Sequence, residues 1–201
     1  MMAPTGKFAH HVVLTGIIGS GKSTVCNFLG RHLPAEVIPE PFEMNAYLTD
    51  YYQNPARWGG ITQVEFLGLR YASYMQGCYY RGPHPFVVSD SCPHSDTIFA
   101  TMLRDAKVIP EREWETYARL FRALEHTLPY PHLVIGVDVT PKAAFERVTR
   151  RARVMETKAK VGVTLDYLKR LDDYTRRWWE AMGKLTTVKL VKWEEGAEYD
   201  S

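Results

Sequence analysis

The run Gly16-Ile17-Ile18-Gly19-Ser20-Gly21-Lys22-Ser23 constrains this chain more than any other feature, because it matches the phosphate-loop pattern G-x-x-x-x-G-K-[ST] in the context that pattern requires. An apolar, β-rich run, His11 to Thr15, precedes it, and a helical pattern starts at Ser23. The strand delivers the chain to a turn whose glycines let consecutive N–H groups face phosphate oxygens. The helix that follows adds the positive potential of its N-terminus. In such a loop Gly16, Ile17, Ile18, Gly19, Ser20 and Gly21 offer backbone, Lys22 bridges terminal phosphates and Ser23 can ligate Mg²⁺, with Thr24 completing the nucleotide-binding set. A plain glycine-rich turn is the bland alternative, and the flanking strand and helix argue against it.

The remaining pattern agrees with a fold of that kind. Further short apolar runs, Glu36 to Pro39, Pro85 to Ser89, His132 to Asp138 and Thr187 to Trp193, read as strands. Helical stretches begin near Lys22, Gln63, Pro110, Pro141 and Thr164, with apolar spacing such as Trp114, Tyr117, Leu120, Phe121 and Leu124. Strand and helix alternate, which predicts an α/β, three-layer architecture with a five-stranded parallel sheet flanked by helices. Its ligands are expected at the carboxyl ends of the strands.

Length and composition bound the partners. With 201 residues at 45% hydrophobic, the chain is expected to form one domain over 1–201, since two cores would leave each half near the lower limit of stability. The 25 Lys plus Arg against 23 Asp plus Glu give a net charge of +2, which argues against a nucleic-acid binder that works by bulk charge. No apolar run approaches the roughly 20 residues that span a bilayer, so no membrane partner or export signal is expected. Cys26, Cys78 and Cys92 lack C-x-x-C spacing and the 7 histidines lack metal spacing, which favours a reducing, cytoplasmic setting. Trp178 and Trp179 read as helix packing.

A phosphate loop leaves the chemistry open. The N-K-x-D and D-x-x-G motifs of a GTPase switch are absent, leaving small-molecule phosphotransferases, which need a base for an acceptor hydroxyl and cations for the transferring phosphoryl group. Glu40, held between Pro39 and Pro41 after the second strand, stands at the sheet's carboxyl edge; from spacing alone it is either a fixed functional carboxylate or a solvated loop residue. Phe86 to Asp90 reads as a buried strand ending in an acid, the usual place for a Mg²⁺-associated carboxylate. From Arg147 to Arg153 there are four arginines in seven residues, which repel one another unless an anion is near.

From Gly16 to about Trp179 the chain resembles the deoxyribonucleoside kinase family. The phosphate loop is similar to the family's, and Pro39-Glu40-Pro41-Phe42-Glu43 resembles its E-P-x-E segment, whose first glutamate is the general base; the resemblance gives Glu40 that role. Tyr52-Gln53-Asn54-Pro55 with Trp58 resembles Y-x-(D/N)-P-x-x-W, implying that Tyr52 bonds the sugar 3′-hydroxyl. Gln63 falls where the family pairs the nucleobase edge. Arg70 and Asp96 fall where it faces the exocyclic groups of cytosine or purines. Asn45 replaces a frequent tryptophan, which implies a roomier pocket. Arg151 and Arg153 align with the R-x-R-x-x-E lid, about 147–163, that closes over the triphosphate, and Glu156 with its sugar-binding glutamate.

Asp90 aligns with the first acid of the family's E-R-S or D-R-S, but Ser91 replaces the arginine that holds the base glutamate. That task is expected to pass to Arg119, Arg122 or a lid arginine. The resemblance implies an ATP-dependent, Mg²⁺-requiring deoxynucleoside 5′-kinase of nucleotide salvage, a homodimer, favouring deoxycytidine and purine deoxynucleosides. Alternatives are a thymidine-preferring kinase, a nucleoside monophosphate kinase, or a P-loop protein that binds nucleotide without turnover.

Overall fold

The structure, a computed structural model, describes residues 9–151 and 162–192. Its centre is a five-stranded parallel sheet in the order β2-β3-β1-β4-β5, built from β1 (His10–Thr15), β2 (Ala35–Ile38), β3 (Phe86–Asp90), β4 (Leu133–Asp138) and β5 (Thr187–Lys192). The strands are short apolar runs because the central ones are buried on both faces: Val13, Leu14, Val87, Val88 and Val134 are almost wholly inaccessible. Against one face packs α1 (Lys22–His32), through Val25 and Cys26 on Leu14, Val88 and Val137. The expected second strand stops at Ile38, one residue before Pro39, which has no N–H for the ladder.

The expected alternation is present, with α2 (Leu48–Gln53), α3 (Pro55–Cys78), α4 (Pro93–Asp105), α5 (Glu111–Glu125), α6 (Pro141–Arg151) and α7 (Leu165–Met182) as the further helices. Three details differ from the sequence reading. Helix α3 starts at Pro55 rather than near Gln63, because the Asn54 side chain accepts from Arg57 N at 3.2 Å and Pro55 occupies the first turn, where no N–H is needed. Helices α2 and α4 were not anticipated. The start of α4 is a local device: Ser95 Oγ accepts from Cys92 N at 3.2 Å and Pro93 stands in the first turn.

Helices α6 and α7 begin where expected, each on a threonine cap. Thr140 Oγ1 accepts from Ala143 N (3.2 Å), and Thr164 Oγ1 from Tyr167 N (3.1 Å). The two tryptophans of α7 pack as expected and also satisfy their N–H groups: Trp178 donates to His94 O (2.9 Å) and Trp179 to Thr15 Oγ1 (2.7 Å). The latter bond ties α7 to the last residue of β1, directly before the loop. Cys26, Cys78 and Cys92 are free thiols.

Candidate functional site

Parallel pairing of β1 with β3 sets Leu14 beside Asp90, and Ser91 N donates to Leu14 O at 3.1 Å, so the two strand ends leave the sheet together. The phosphate loop rises from one and the Asp90 carboxylate from the other. Gly19 (φ 81°) and Gly21 (φ 97°) adopt the left-handed conformation that other residues resist. A Cβ on Gly19 would also lie 2.5 Å from Ala144 O, so this glycine lets α6 cross the loop closely. There Arg147 Nη1 donates to Ser20 O at 3.0 Å. Lys22 Nζ folds back onto the loop, donating to Gly16 O (3.1 Å) and Ile17 O (3.2 Å).

Ser23 Oγ donates to Asp90 Oδ2 at 2.5 Å, while Asp90 Oδ1 is buried with no hydrogen-bond partner among the described residues. Burial pushes the Asp90 carboxyl above its ordinary range, and Lys22 pulls it back. A buried carboxylate oxygen left unsatisfied beside a hydroxyl is a donor set that suits a hard cation such as Mg²⁺.

Next to the loop an open cavity is walled by the loop, α2, α3, α4, the end of α6 and α7. Gln63, Phe66 and Arg70 face it together, since spacings of three, four and seven fall on one side of α3. Gln63 is buried and its Oε1 has no partner among the described residues. The Arg70 guanidinium lies 4.5 Å from the Phe66 ring centre and 5.6 Å from that of Phe99. It divides its donors. Nε (3.1 Å) and Nη2 bond Glu40 Oε1, and Nη1 bonds Asp96 Oδ1. Tyr117 OH, from α5, donates to the other Asp96 oxygen, Oδ2, at 2.6 Å. Burial works against the arginine's charge, but Glu40 and Asp96 outweigh it and raise its pKa above the ordinary value, so Arg70 stays cationic.

Most of the residues picked from the sequence therefore meet in one place: Lys22, Ser23, Glu40, Tyr52, Gln63, Arg70 and Arg151 all line this cavity. Asp96 is wholly buried behind Arg70 and does not line it. Ile17 is buried in the core and Thr24 is exposed on α1, neither on the cavity wall. Arg153, Glu156 and the lid beyond Arg151 lie outside the described residues up to 161.

Two expectations are corrected. Arg119 and Arg122 do not take over from the missing arginine at position 91. Both are exposed on α5, Arg119 donating to Thr116 Oγ1, and Arg70 holds Glu40 instead. Asn45 does not itself line the pocket; it is buried off its wall, donating to Thr62 O (3.0 Å) and accepting from Tyr47 N (3.0 Å), and so ties the loop before α2 to α3. Tyr117 and Phe99 were missed. Tyr117 sat in an apolar stripe that its ring satisfies, and nothing local signals that its hydroxyl meets a buried carboxylate.

A phosphate loop on a parallel sheet, with an acid at the neighbouring strand end and a charged pocket beside it, defines a P-loop nucleotide-binding protein with a second, small-molecule site. Sequence comparison narrows this class. The pattern of the deoxynucleoside kinase family matches residues 12–200, and the chain belongs to that family. It is 30% identical over 186 residues to the deoxyadenosine kinase of Dictyostelium discoideum, covering 92% of this chain and 73% of that one. It is 28% identical to the deoxyguanosine kinase of the same organism, covering 92% and 65%. The structure superposes on deoxyadenosine kinase from M. mycoides, solved with dCMP and a flexible dCDP bound, at a TM-score of 0.78 over 90% of this chain and 89% of that one, with 21% identity. That likeness covers the fold.

Proposed function

We infer that this protein transfers the γ-phosphoryl group of ATP to the 5′-hydroxyl of a deoxyribonucleoside, giving a 5′-monophosphate for nucleotide salvage. The observation that carries the reading is that a carboxylate, Glu40, and the phosphate-loop cation, Lys22, line one and the same cavity. Glu40 takes the 5′-hydroxyl proton as the oxygen attacks the γ-phosphorus. The new O–P bond forms as the bridge to the β-phosphate breaks, and the electron pair leaves on ADP. Lys22, Arg151 and, by resemblance, Arg153 neutralise charge on the transferring group. Ser23 and Asp90 would hold Mg²⁺, which when bound offsets phosphate charge; the unsatisfied Asp90 Oδ1 supports that assignment.

On the acceptor side Gln63 reads the nucleobase edge and Tyr52 bonds the sugar, joined by Glu156 through resemblance. Arg70, backed by Asp96, favours the hydrogen-bonding edges of purines and cytosine, in keeping with relatives named deoxyadenosine and deoxyguanosine kinases. The single sheet supports one kinase domain over 1–201, and the homodimer rests on the resemblance to the family. Three free thiols suit a reducing cytoplasm, and among the described residues no helix is long and apolar enough to cross a membrane.

A nucleoside monophosphate kinase would need a cation for its acceptor phosphate where this chain sets Glu40. ADP formation with each of the four deoxynucleosides and with dTMP tests the reading. Release dependent on deoxyadenosine, deoxyguanosine or deoxycytidine is expected. Release with dTMP alone, or none dependent on an acceptor, overturns it.

A further inference from the structure

The charge arithmetic on the acceptor side is unusual. One guanidinium, 6% exposed, serves two carboxylates, Glu40 at 21% and Asp96 at 0%. At the end of β3, where a second cation would relieve this, stands Ser91, at φ 83°. Arg70 bonds Glu40 through two of its nitrogens and Asp96 through the third, so the half-buried and the buried carboxylate share one cation.

We propose that Arg70 is the positioning residue for Glu40, so that one guanidinium both faces the nucleobase and sets the carboxylate that accepts the 5′-hydroxyl proton. Three contacts fix it in place: the Phe66 and Phe99 ring centres lie 4.5 and 5.6 Å from the guanidinium carbon, and Asp96 anchors Nη1, itself held by a bond from Tyr117. Its remaining donors, Nε and Nη2, converge on a single oxygen of Glu40. That fork needs a planar guanidinium; a lysine ammonium would keep the charge and lose the paired donors. Glu40 is further restrained by the prolines on either side of it, so its carboxylate is positioned from the backbone and from Arg70. Nucleobase recognition and proton acceptance are therefore coupled in this chain through one side chain, and an acceptor whose base displaces Arg70 also displaces Glu40.

The proposal rests on Glu40 being the base, and a double-mutant cycle separates the two ideas. Because Arg70→Met alone would strand a buried carboxylate, the cycle is run in an Asp96→Asn background, with kcat and acceptor KM measured for deoxyadenosine or deoxycytidine. Circular dichroism confirms the fold. With Glu40 present, Arg70→Met is expected to lower kcat by about 10- to 100-fold; with Glu40→Gln, its further effect on kcat should be under about threefold, since residues acting through one another are not additive. The rise in acceptor KM should be similar in both, reporting the nucleobase contact alone. An equal loss of kcat with and without Glu40, or a change in KM only, overturns the proposal. Unchanged kcat in Glu40→Gln by itself would instead remove Glu40 as the base. If the Arg70→Met protein does not fold, Arg70→Lys in the same cycle carries the same expectations.

Discussion

The phosphate side and the acceptor side of the cavity are built by different means. On the phosphate side the working groups are contiguous: Gly16 to Ser23 supply backbone and cation from one turn, and α6 adds Arg147 onto Ser20 O. On the acceptor side Glu40, Arg70, Asp96 and Tyr117 come from four separate segments, and their partners are side chains. The first is a backbone cradle that accepts many side-chain changes outside its glycines, Lys22 and Ser23. The second is a side-chain network around the wholly buried Asp96, in which removing one member takes a partner from the next. On the proposed reading, donor binding is local and robust, whereas acceptor selection and base positioning share one fragile network.

Lys22→Ala is the sharpest test of the phosphate side. It should lower kcat by about 10²- to 10³-fold, the range for removing one preorganised electrostatic donor, while deoxynucleoside binding, measured by calorimetry, stays within about twofold. Loss of deoxynucleoside binding as well would break the division between the two sides.

Acidification should act first on the helix that carries the acceptor site. His11 stacks on Tyr74 of α3 with ring centres 4.4 Å apart and bonds Ser89 Oγ at 2.7 Å. Burial, then the neighbouring His132, lowers its pKa to about 4. The unfolded chain therefore binds a proton that the folded one refuses between the ordinary value of about 6.5 and about 4. Stability from this group is intact above pH 6.5 and lost as the pH falls through 4, by up to about 3 kcal/mol. Urea titrations at pH 7 and pH 4.5 measure the loss, and His11→Gln should flatten it; an unchanged pH slope in that variant contradicts the assignment.

Tyr117→Phe should cost less, about 1.5 to 3 kcal/mol, the range for a hydrogen bond to a charged group. Thermal unfolding reads it, and acceptor KM should rise while donor KM does not move. A shift in donor KM would mean that the sides communicate through α5.

How much of this could be read from the sequence follows the same division. The phosphate loop, Asp90 at its strand end and the start of α6 at Pro141 are short-range signals in which residue type and backbone geometry are tied, and they stand where the pattern put them. Glu40 stands out by its place between two prolines after a strand and takes its role from the family resemblance, as do Gln63 and Arg70, and the structure brings all three to one cavity. The bond from Arg70 to Glu40 was not legible, because the residues are 30 apart and Arg70 already had a partner in Asp96. Helix α4 escaped because its start rests on Ser95 reaching back to Cys92 N, a cap formed by an atypical pair. Asn45 misled for the opposite reason: its side chain makes backbone bonds, so comparing it with a tryptophan by volume missed its role.

The account's central claim is that Glu40 takes the proton from an acceptor hydroxyl. Glu40→Gln keeps the shape and removes the charge, so steady-state turnover with saturating ATP and deoxynucleoside, alongside calorimetric binding of the deoxynucleoside, tests it directly. The predicted result is kcat lower by about 10²- to 10⁴-fold with binding within a few-fold of the unaltered protein. Turnover left unchanged would contradict it.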